Sequence, residues 1–335
     1  MAYLEALRLL KASGFSPRRT VAISFVPDEE VGGRAGMAPF VDSPQFAALH
    51  VGLELDEGWA SGPDVDTFPV FYAERVPWWF VVTARGEPAH GSKLVDGTAM
   101  SALQGALTRI AAFREGQFEL VRNGTKQFGE VVSVNPVFLR SGVAADGAAP
   151  FGDAKFIMNM QPSTAEAGFD MRLPPMTQAQ MDALEKTIHT EWAPESVNLS
   201  VTNLLQSKGK TRFDGSPAVT DLSGPNATHW WGALRTSLAS LGFTPVPEVF
   251  PAATDAAYLR VRGIPSLGFS PLRRTKRLLH EHDEHIAVDQ YAEAVQIYVR
   301  LIHDLAMSPR FDGEDVASLG LRDELLKCTA IDHTK

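Results

Sequence analysis

The chain has 335 residues, 44% of them hydrophobic and 21% charged, an ordinary globular composition with length enough for two cores. A formal net charge of −9 at pH 7 supplies no basic field for collecting nucleic acid or an acidic membrane surface. The single cysteine, Cys328, can form no intrachain disulfide, which fits a reducing compartment.

No stretch approaches the ~20 uninterrupted apolar residues of a membrane span. Residues 2–13 read as an amphipathic helix and lack the apolar h-region of a signal peptide, so a soluble, cytoplasmic protein is expected. Asn226-Ala227-Thr228 fits the glycosylation pattern, which carries little meaning without secretion.

After that first helix, the apolar run Thr20 to Val26 reads as a buried strand, followed by a helix over 33–42 and a strand over 50–55. Gly, Pro and Asp at the joints make this an α/β alternation, and a parallel sheet is expected. Both strand ends carry acids: Asp28-Glu29-Glu30 ahead of Gly32-Gly33, and Asp56-Glu57 ahead of Gly58. Open α/β sheets place ligands at the carboxyl ends of their strands, where Glu30 and Glu57 could meet. Adjacent buried carboxylates are costly unless a cation or donors face them, so Glu29 and Glu30 suggest a metal edge with a spare base beside it. The other reading of the same residues is a solvated acidic turn before a helix.

Beyond Pro69 the pattern changes to a strand over 77–85, a helix over 98–121, strands over 131–140 and 164–173, a helix over 177–192 and a strand over 197–204. That βαββαβ order predicts a ferredoxin-like unit. The Gly/Ala-rich stretch 141–153 between its central strands is expected to be a flexible loop. From about residue 206 the α/β style returns, with helices over 226–242, 254–262 and 286–307 and strands over 246–250 and 266–269. The small unit, 76–205, is therefore expected to be inserted into a discontinuous larger one, 1–75 with 206–307, and 308–335 to be a surface tail.

His280-Glu281-His282-Asp283-Glu284-His285 is the densest cluster of metal-capable groups. Imidazole is a common zinc ligand and a neighbouring carboxylate can hold its second nitrogen. By composition alone a surface loop of mixed charge fits as well, and pairing with the two acidic strand ends is what raises the metal reading. His90 sits in the Gly/Pro turn Gly86-Glu87-Pro88-Ala89-His90, at a strand end from which it could point at a cleft or simply be exposed.

Taken in order, Phe25 to Gly33, Leu55 to Gly58, Phe71 to Arg75 with Pro77-Trp78-Trp79, Gly86 to His90, Pro251-Ala252-Ala253-Thr254-Asp255, Gly268 to Pro271 and Leu279 to Glu284 resemble the aminoacylase-1 family of M20-type zinc amidohydrolases. The resemblance runs from Met1 to about residue 307. It implies an α/β phosphorylase/hydrolase-like zinc-peptidase catalytic domain, incomplete at its N-terminus, with an inserted ferredoxin-like βαββαβ lid and dimerisation domain. The implied activity is zinc-dependent hydrolysis of an N-acyl-L-amino acid by a homodimer, without nucleic-acid or membrane partners.

Carried over by position, Glu29 is the general base, and Glu30, Glu57 and His280 are metal ligands. A ligated Glu30 would lose basicity, whereas an unbound Glu29 keeps it. His90 matches the lid histidine that reaches a partner subunit's cleft to steady the oxyanion. Asn159, Arg172 and Thr254 match substrate-binding positions, with Arg172 gripping the free carboxylate of the substrate. A surface arginine at a strand end is the other reading of Arg172. The family also has a His-x-Asp element and a metal-bridging Asp ahead of the helix at Met1. Paired metals lie only ~3.5–4 Å apart and need several ligands, so at most one zinc ion, weak binding and slow hydrolysis are expected here. A catalytically impaired homologue that dimerises or regulates is the alternative.

Overall fold

The computed structural model describes residues 1–62, 67–144, 156–206, 211–224 and 227–311. Cys328, Asn226, residues 312–335 of the tail and residues 145–155 of the 141–153 loop and its continuation lie outside the described residues. Two compact units are present, one formed by Met1–Ala73, Val219–Glu248 and Thr254–Lys335, the other by Glu74–Ala218 and Val249–Ala253.

The first unit opens with α1 (Ala2–Ala12), α2 (Met37–Phe40), α3 (Pro44–Leu49), β1 (Glu54–Asp56) and β2 (Phe68–Glu74). Apolar residues of α1 recur at helical spacing, and Ala6 and Leu10 are buried. The predicted strand Thr20 to Val26 does not form. It makes no ladder, and Ile23 and Phe25 are 43% and 76% exposed. An apolar run yields a strand only where a neighbouring segment accepts its backbone bonds, and none does so among the described residues.

The helix expected over 33–42 shrinks to the single turn Met37–Phe40, and a separate short helix, Pro44–Leu49, follows it. Gly32 and Gly33 sit at φ 104° and 64°, outside helical space, and Ser43 caps a fresh start with Pro44 in the first turn. β2 was not anticipated, because Phe68-Pro-Val-Phe-Tyr72 has no alternation. It is buried on both faces, which is what a continuous apolar run means in a central strand.

The second unit contains β3 (Val76–Arg85), β4 (Ala89–His90), α4 (Ala99–Arg122), β5 (Ser133–Ser141), β6 (Met160–Gln161), β7 (Thr164–Leu173), α5 (Gln178–Thr187) and β8 (Leu199–Gln206). Its main sheet has the order β5-β7-β3-β8, with the pairs antiparallel. Val76, Trp78, Phe80, Val82 and Ala84 alternate into the core, where Leu103, Ala106 and Ile110 of α4 cover them. The paired tryptophans therefore split: Trp78 is buried and donates Nε1–H to Asn203 Oδ1 at 2.9 Å, while Trp79 is 42% exposed. The helix expected over 177–192 ends at Thr187 and continues as a π turn, Ile188–Trp192, that buries Ile188 and Trp192.

The chain then completes the first unit with α6 (His229–Ser240), β9 (Pro245–Phe250), α7 (Ala256–Val261), β10 (Ser266–Phe269) and α8 (Val288–Met307). The sheet order is β1-β10-β2-β9. β1 runs parallel to β10 but β2 runs antiparallel to it, so the sheet is mixed where a parallel one was expected. Val295, Tyr298, Leu301, Ile302 and Leu305 of α8 pack with Leu234 and Leu238 of α6 and with Phe68, Leu267 and Phe269 of the sheet. No helix of the described residues is long and apolar enough to cross a membrane.

Candidate active site

The acidic run lies in the first unit as a one-turn 3-10 helix, Glu29–Val31, and not at a strand end. Asp28 starts it at φ 58°, and its Oδ2 accepts the Ala35 N–H at 2.9 Å. Gly33 is required twice over: its φ is left-handed, and a Cβ there would lie 2.6 Å from Asp255 Oδ1. Tyr258 of α7 donates its hydroxyl to Gly32 O at 2.6 Å, so the glycine pair is fastened to that helix.

The second acid is held by its neighbour. Asp56, the last residue of β1, accepts the Glu57 N–H at 2.7 Å through Oδ1 and the Ala256 N–H at 2.9 Å through Oδ2. One carboxylate thus joins the strand end to the start of α7 and fixes Glu57 between them. Gly58 and Gly268 let the chain after Glu57 run against β10, since a Cβ on Gly268 would meet Glu57 O at 2.6 Å.

His280 stands at φ 58° just after the buried Leu278, and its Nε2 lies 3.1 Å from Glu30 Oε2. The Glu57 carboxyl is pushed up to about 7, by burial first and then by Asp56, Glu29 and Glu30, while His280 works the other way. Glu29, Glu30, Glu57 and His280 therefore share one electrostatic neighbourhood. His285 turns back instead, its Nδ1 2.6 Å from Asp283 O.

Among the described residues no three His, Cys, Asp or Glu side chains converge as a ready metal cage. The donor chemistry nevertheless suits a divalent cation: two carboxylates and an imidazole, with burial and the neighbouring carboxylates both disfavouring the ionised form of Glu57. Thr254 is buried, and its Oγ1 accepts the Ala256 N–H at 3.3 Å, so it helps start α7.

In the second unit, His90 and Asn159 meet on the β4–β6 ribbon. His90 pairs with Met160, and Gly91 N–H donates to Asn159 O at 2.7 Å. His90 is exposed and its Nδ1 lies 2.7 Å from Ser92 Oγ. Arg172 is on β7, bound to Asp170 through both edges of its fork at 2.8 and 3.1 Å. Sequence reading missed Asp56 and Tyr258. Asp56 carried a signal, an acid at a strand end, whereas nothing local marks Tyr258.

The model of Peptidase family M20/M25/M40 matches residues 1–304. Aminoacylase-1 of Mus musculus is 41% identical over 313 residues, covering 93% of this chain and 70% of the relative. Aminoacylase-1 of Homo sapiens is 39% identical, covering 92% and 69%, and that of Dictyostelium discoideum 36%, covering 91% and 71%. Among solved structures, a tripeptidase from Staphylococcus aureus gives a TM-score of 0.62 at 14% identity, covering 91% of this chain and 69% of that one. An M20 family metallo-carboxypeptidase from Sulfolobus solfataricus gives 0.57 at 14%, covering 91% and 74%. At those identities the two structures speak for the fold alone.

Proposed function

Since the chain belongs to Peptidase family M20/M25/M40 and matches aminoacylase-1 relatives over most of its length, we propose that it is an N-acyl-L-amino-acid amidohydrolase. The products are a carboxylate and a free L-amino acid. The observation that carries this reading is the placement of Glu29 beside the Glu30–His280 pair and within the field of Glu57.

Glu30, Glu57 and His280 are the residues that would hold zinc, and three donors suffice for one ion at most. Bound zinc supplies Lewis acidity, drawing charge from the amide carbonyl and lowering the proton affinity of water at the site. Glu29 takes a proton from the attacking water and returns it to the leaving amine. Glu29 is placed for that task by the one-turn helix it shares with Glu30 and by its position in the field of Glu57. Arg172 holds the free carboxylate of the substrate, Asn159 adds a hydrogen bond, and Thr254 shapes the substrate side from the start of α7.

The sheet order β5-β7-β3-β8 with α4 and α5 supports reading this unit as a ferredoxin-like lid and dimerisation domain. Its edge strand β5 supports a homodimer, since Val137, Phe138 and Leu139 are 63%, 40% and 64% exposed there. His90 on the lid of a second copy then donates to the developing oxyanion. A cytoplasmic location accords with the lone cysteine.

The test is amino-acid release from paired N-acetyl-L- and N-acetyl-D-amino acids by the zinc-supplied protein. Release from the L series alone is expected, and equal rates for both series would contradict the assignment.

A further inference from the structure

Arg75 joins β2 to β3 and is a buried cation that no carboxylate bonds among the described residues. The residue is 1% exposed, its guanidinium lies 4.8 Å from the centre of the Phe128 ring, and one Nη donates to Ser133 Oγ. The Nε–H is buried and meets no acceptor, and no carboxylate bonds this side chain among the described residues. Buried charges are ordinarily paired, so an unpaired one asks for a counter-charge.

Ser133, which takes the Arg75 bond, is the cross-strand neighbour of Arg172. Arg172 and Asp170 therefore lie in the field of Arg75. Burial foremost, and then Arg172, lower the Arg75 pKa to about 10 against the opposing pull of Asp170, which leaves it charged at neutral pH. A closed Arg172–Asp170 pair is neutral and has little to offer an anion. With Arg75 behind it, two guanidiniums face one carboxylate and the trio is net positive.

Resting on the amidohydrolase reading for its ligand, we propose that Arg75 is a positioning residue for substrate: its uncompensated charge lets the half-buried Arg172 accept the ligand's free carboxylate despite Asp170. Arg75 thereby sets a preference for N-acyl amino acids over their uncharged amides. Arg172 makes the contact, and Arg75 acts through it.

The experiment measures, by calorimetry on the full chain carrying Glu29→Gln to prevent turnover, the affinities of N-acetyl-L-methionine and of N-acetyl-L-methionine amide. The acid is expected to bind about 10- to 100-fold more tightly, the range of a charged hydrogen bond. Arg75→Met should bring that ratio close to one with the amide affinity held, and Arg75→Lys should restore part of it. A purely structural Arg75 would instead weaken both ligands together. Should Arg75→Met fail to fold, Asp170→Asn decides: the ratio rises if charge balance governs, and falls if Asp170 merely orients Arg172. No preference in the Arg75 protein, or an unchanged ratio in Arg75→Met, overturns the proposal. Hydrolysis of the acid by the chain with Glu29 intact is scored separately. An Arg75-dependent preference without hydrolysis keeps this proposal and removes the amidohydrolase reading; hydrolysis with no Arg75 dependence does the reverse.

Discussion

At Glu57, burial first and then the neighbouring Asp56, Glu29 and Glu30 carboxylates raise the pKa to about 7, so its ionised form is unfavourable in the metal-free site. Replacing Glu57 with Gln should therefore raise the metal-free melting stability, by up to ~1 kcal/mol once solvent screening is allowed for, while weakening zinc binding at least about tenfold. A melting temperature that falls together with zinc affinity would speak against excess charge. Gly268→Ala tests the close approach, because its Cβ would lie 2.6 Å from Glu57 O. A cost of about 1–3 kcal/mol is expected in urea unfolding. The candidate acids and His280 were legible in the sequence because their chemistry is carried by residue type. The Asp56 clamp and the unbalanced Arg75 were not, since their meaning lies in partners remote in the chain: Ala256 for one, Ser133 and Asp170 for the other.

Elements with strong periodicity were easy to read, and α4, β7 and α8 lie close to the predicted bounds. Thr20 to Val26 and Phe68 to Glu74 show why others were not. Both are apolar runs, yet the first is exposed without a ladder and the second is buried at the centre of a sheet. Local sequence states the desire for burial, whereas pairing decides where it is met. The same distinction separates Glu29 and Glu30 from the strand end expected for them: glycines and a left-handed Asp28 make a tight turn instead. For α8, the buried stripe makes a sharp prediction. Leu301 is fully buried against α6 and the sheet, so Leu301→Ala should cost about 2–5 kcal/mol in chemical unfolding. A loss below 1 kcal/mol would mean that α8 is not part of the first unit's cooperative core.

For the molecule as a whole, family membership was the most legible property, because the two acid–glycine runs and the His280 cluster come in one order along the chain. Sheet direction was not, as it leaves no local periodicity. Three donors in one neighbourhood predict no more than one zinc ion per chain by metal analysis; two tightly held ions with brisk turnover would refute that count. The most direct measurement compares the zinc-supplied protein with its Glu29→Gln variant on N-acetyl-L-methionine, following free methionine and bound zinc together. Slow release by the unaltered chain, lost in the variant with zinc still bound, is the predicted result. Release at the same rate in both proteins, or in neither, would contradict the assignment of Glu29 as the base of an amidohydrolase.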